Sequence, residues 1–60
     1  MGAVYNPEAE IMAQIEKLEI TARELRRRLQ EATLPQDRRV IERQLQEVEA
    51  EIEQLRRKLP

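Results

Sequence analysis

The sequence predicts an all-α chain folded as an antiparallel helical hairpin. Three observations carry this: two heptad runs of aliphatic residues, a proline between them, and a composition that favours helix over sheet. Of the 60 residues 38% are charged and 2% aromatic, and the single glycine stands at position 2, a balance typical of helical and coiled-coil sequences. The longest apolar run that could open a membrane span, Ile11-Met12-Ala13, is three residues, against ~20 needed to cross a bilayer. The N-terminus shows no charged-then-apolar signal pattern, so a soluble, cytoplasmic protein is expected.

Helix one is expected over residues 7–32. Asn6-Pro7-Glu8 supplies a cap residue, a proline at the first helical position and an acid near the positive helix end. From there Ile11, Ile15, Leu18, Ala22, Leu25, Leu29 and Ala32 alternate spacings of four and three, the 3.5-residue average of a heptad seam. Ile15, Ala22 and Leu29 take the a positions, and Ile11, Leu18, Leu25 and Ala32 the d positions.

The turn is expected at residues 33–36. Pro35 has no N–H and drives Leu34 out of helical dihedrals. Two ways of opening the next helix fit the letters: Thr33 with Gln36 as a capping box, or Pro35 as first helical residue behind Leu34.

Helix two is expected over 36–59, with Arg56, Arg57 and Lys58 in its last turn, where cations suit the dipole. Its seam is Ile41, Leu45, Val48, Ile52, Leu55 and Leu59, with a positions at Leu45, Ile52 and Leu59. This register stands two residues out of phase with the first, so a straight rod would rotate its apolar edge. Folding back at Pro35 removes the conflict. Antiparallel a–d partners then all have positions adding to 70: Ile11 with Leu59, Ile15 with Leu55, Leu18 with Ile52, Ala22 with Val48, Leu25 with Leu45, Leu29 with Ile41. At the flanks, Arg26 is expected to attract Glu42 and Glu19 to repel Glu49. Within helices, Glu19–Arg23, Glu24–Arg28 and Glu53–Arg57 stand at the favourable i,i+4 spacing.

Two helices along one seam cover each aliphatic side chain only in part, and a chain this short has a marginal core. Cysteine and histidine are both absent, which removes disulfides and the usual structural zinc ligands as supports. The expectation is therefore a homodimer, two hairpins making a four-helix bundle through those twelve a and d residues, with a helical protein partner as the other candidate. The charged e and g positions instead suit a thinner, two-stranded finger. Met12, Ala13, Ile20, Val40 and Ala50 lie off the seam and could widen a contact, and Val4 and Tyr5 are expected to fold over the bundle end or fray.

Serine is also absent, so the common nucleophile and base constellations cannot be assembled and no enzyme is expected. No cofactor or metal is expected either. Glu47, Glu49, Glu51 and Glu53 lie at or beyond the seam edge and lack the inward Glu-x-x-His element of carboxylate-bridged metal bundles. The alternative to association is a small RNA- or DNA-binding regulator gripping phosphate at the hairpin tip. Arg23, Arg26, Arg27, Arg28, Arg38, Arg39 and Arg43 cluster there, and residues 23–43 carry a net charge of +3. No aromatic is available nearby for base stacking.

The layout resembles that of small plasmid RNA-binding regulators and of antiparallel coiled-coil fingers that bind small GTPases. The likeness is architectural: where the fingers carry a Gly-Ala-Glu-Asn element this chain has Arg23-Glu24-Leu25-Arg26.

Overall fold

The computed structural model describes residues 6–60; Val4 and Tyr5 lie outside the described residues. α1 spans Pro7–Glu31 and α2 spans Pro35–Arg57, and the two pack against each other as a hairpin.

α1 opens as its letters imply. Asn6 is extended, and its Oδ1 accepts the N–H groups of Glu8 at 3.1 Å and Ala9 at 3.2 Å, satisfying two of the donors that a helix start leaves without partners. The helix stops at Glu31, one residue short of the expected 32. Ala32 has already turned to φ −73°, ψ 127°, three residues ahead of Pro35.

At the corner, Leu34 sits at φ −83°, ψ 133° with no side-chain cap, and Pro35 is the first helical residue. The second of the two openings is the one adopted, and α2 starts one residue earlier than 36 because proline's fixed φ already suits a helix. α2 ends at Arg57 rather than 59. There the N–H of Lys58 reaches the Leu55 carbonyl and that of Leu59 the Arg56 carbonyl, both at 3.1 Å, the i to i−3 tightening common in a last turn.

All twelve seam residues are covered, and unequally. Ile15, Ala22, Leu25, Ile52 and Leu55 are buried and the other seven are half-buried. Ile15, Ala22, Ile52 and Leu55 form the central cluster, with Ile11, Leu18, Leu45, Val48 and Leu59 packed against it. The end layers, Ile11 with Leu59 and Leu29 with Ile41, have no fully buried member. Met12, Ile20, Leu34 and Val40 are each more than half exposed. Its two shorter principal extents are 20 and 12 Å, and two helices lying side by side make its whole width. The hairpin is one layer thick, so both of its broad sides face water.

Candidate association surface

The broad sides are chemically different because antiparallel pairing brings the e positions of both helices to one side and the g positions to the other.

On the e side the seam dips at Ala22, only 1% exposed, and charged residues frame the resulting groove beside Ile52. Two ion pairs span it: Arg26 Nη2 to Glu49 Oε2 at 3.0 Å, and Arg56 Nη2 to Glu19 Oε2 at 2.7 Å. These are not the expected neighbours. Arg26 bonds Glu49 instead of Glu42, and Glu19 meets Arg56 in place of a repulsive contact with Glu49. The cause is side-chain direction: in a helix the Cα–Cβ bond leans toward the N-terminus. Arg26 and Glu49 start ~7.5 Å apart along the axis, at ~1.5 Å per residue, but lean toward each other. Arg26 and Glu42 start only ~3 Å apart on the same scale and lean away. The Glu19–Arg56 pair repeats the first geometry.

Local pairs also differ from expectation. Glu53 does pair with Arg57, at 3.6 Å, whereas Glu24 takes Arg27 at 2.9 Å rather than Arg28, both spacings being adjacent on a helix surface. Glu19 is occupied across the seam and makes no ion pair with Arg23.

On the g side Gln14, Thr21 and Gln44 are neutral, and Arg28, Asp37, Glu51 and Lys58 make no ion pair among the described residues. The Thr21 hydroxyl donates to the Lys17 carbonyl at 3.3 Å. Near the corner Arg28, Glu31 and Asp37 border a shallow groove over Ala32, Val40 and Ile41.

The arginines of the tip separate into two groups. Arg26 and Arg27 are in ion pairs, and Arg38 is turned inward: its Nη1 donates to the carbonyls of Leu29 at 2.9 Å and Ala32 at 3.1 Å. Those are two of the four acceptors that the end of α1 leaves open, and a cation suits that negative end. Arg23, Arg28, Arg39 and Arg43 have no ion pair among the described residues. Their heptad positions (b, g, b and f) spread them over different sides of the hairpin. The Arg38 clamp lies outside the aliphatic pattern that defines the seam. Its signal was present: Arg38 is an a position, and with Ala32 it adds to the same 70.

Among the described residues no group of three carboxylates gathers as a metal site, and no helix is long and apolar enough to cross a membrane. Comparison with protein-family models, with curated proteins and with solved structures finds no match.

Proposed function

We propose that the hairpin is a non-enzymatic association module that pairs with a second copy of itself, completing its a/d seam as a four-helix, coiled-coil-like bundle. The observation that carries this is the single layer: two helices alone leave seven of the twelve seam residues partly exposed. The accessible surface agrees, at 5122 Å² for 7.2 kDa against ~4,100 Å² for a compact chain of that mass. Stacking a second layer encloses the same aliphatic residues and adds no new chemistry.

Sedimentation equilibrium over a concentration series tests the reading. Twice the 7.2 kDa chain mass is expected at micromolar concentration, and a folded species of single-chain mass throughout the series refutes it. Replacing Leu25 and Leu45 by asparagine places two polar amides in one layer and is expected to cost several kcal/mol and disperse the pair.

A further inference from the structure

We infer that the second copy docks on the g side, head to tail, so that the corner of one hairpin lies over the open end of the other and Asp37 of each meets Lys58 of its mate. This rests on the proposal that two copies associate, and names the surface and orientation.

The choice of side follows from what each would bury. The e side is closed by Arg26–Glu49 and Glu19–Arg56, and covering it desolvates four charges already satisfied where they are. The g side presents three neutral residues, Gln14, Thr21 and Gln44, and its Glu51 and Arg28 stand among them with no ion pair to break among the described residues; the Thr21 hydroxyl already has its acceptor within α1, so it brings no unmet donor to an interface. An interface of ~800 Å² per partner is under a fifth of 5122 Å², which one broad side can supply.

Orientation follows from the ends. The least covered seam layers are the two terminal ones, Leu29 with Ile41 beside the exposed Val40, and Ile11 with Leu59. Head-to-tail stacking sets each of these against the other and covers both. It also lays α2 over α2 with the axis reversed, bringing Asp37, in the first turn, near Lys58, just past the last. Head-to-head stacking lays α1 over α2 instead. Asp37 then falls beside Glu31, a like charge, and Lys58 beside Gln14.

The test is a charge exchange with a distance check. Asp37→Lys and Lys58→Asp are each expected to weaken self-association about tenfold, since each change breaks the same exposed pair twice and sets like charges together at both places. Each variant also loses a favourable helix-end charge, so rescue carries the test: an equimolar mixture restores binding near the wild-type level, because only the mixed dimer has both pairs matched. A mixture that binds no better than either variant alone overturns the proposal. A nitroxide on Gln36→Cys, otherwise in the wild-type chain, is expected to lie ~30 Å or more from its counterpart, from some 20 residues of axial offset at ~1.5 Å each. A separation under ~25 Å, about two helix diameters, means head-to-head stacking and also overturns it. Failure of association itself shows separately, as single-chain mass in the wild type.

Discussion

Replacing Arg38 by methionine keeps most of the aliphatic stem and removes the guanidinium, which isolates the corner clamp. Its Nη1 makes two bonds, of 2.9 and 3.1 Å, to the Leu29 and Ala32 carbonyls from a half-buried position. Hydrogen bonds to charged groups contribute ~1.5–3 kcal/mol each when well shielded. Here one nitrogen is shared between two acceptors and water can replace it at the corner, so ~1–2 kcal/mol in total is the expected loss. For a domain of this size that corresponds to a fall of roughly 5–15 °C in Tm. Thermal and urea unfolding followed by circular dichroism, at one fixed protein concentration, measures it. Arg39→Met is the control: this neighbour makes no ion pair or side-chain hydrogen bond among the described residues, and its change is expected within ~0.5 kcal/mol. Arg38→Lys should fall between, because an ammonium keeps the charge at the helix end but not the fork of donors. Equal stability for the Arg38→Met and Arg39→Met variants refutes the clamp.

Two further outcomes follow from the e side. A double-mutant cycle on Arg26 and Glu49, each to glutamine, is expected to show ~0.2–1 kcal/mol of coupling, and the same cycle on Arg26 and Glu42 close to none; the reverse ranking contradicts the account of side-chain lean. Ala22→Leu adds three carbons at a site 1% exposed and is expected to cost ~1–3 kcal/mol by overpacking, read in urea unfolding, with no loss if the groove above Ala22 can take the larger side chain.

The hairpin was legible because two independent constraints met at one place. Spacings of three and four mark a seam whatever surrounds them, and Pro35 both stops α1 and suits the start of α2. With the corner placed, the twelve seam positions needed no further information, and each is buried or partly buried. Ion-pair partners were less legible, since heptad letters locate Cα atoms and a long side chain ends about a turn away. Arg26 therefore bonds Glu49 and not the axially closer Glu42. Arg38 was read as part of a basic cluster because its letter is charged, whereas its seam position and the open carbonyls of α1 decide where it points. The contrast between the e and g sides was partly hidden for a related reason. The neutral letters Gln14, Thr21 and Gln44 mark the g side, but that the e side is closed follows only from the bonds made between helices, Arg26–Glu49 and Glu19–Arg56.

The midpoint of thermal unfolding as a function of protein concentration reports whether a second copy completes the seam. If folding and pairing are coupled, each tenfold increase in concentration adds ~1.4 kcal/mol to the stability of the dimer, and Tm rises by several degrees per decade. A midpoint that stays constant from micromolar to millimolar chain contradicts the account, because it means that the single layer holds its own core.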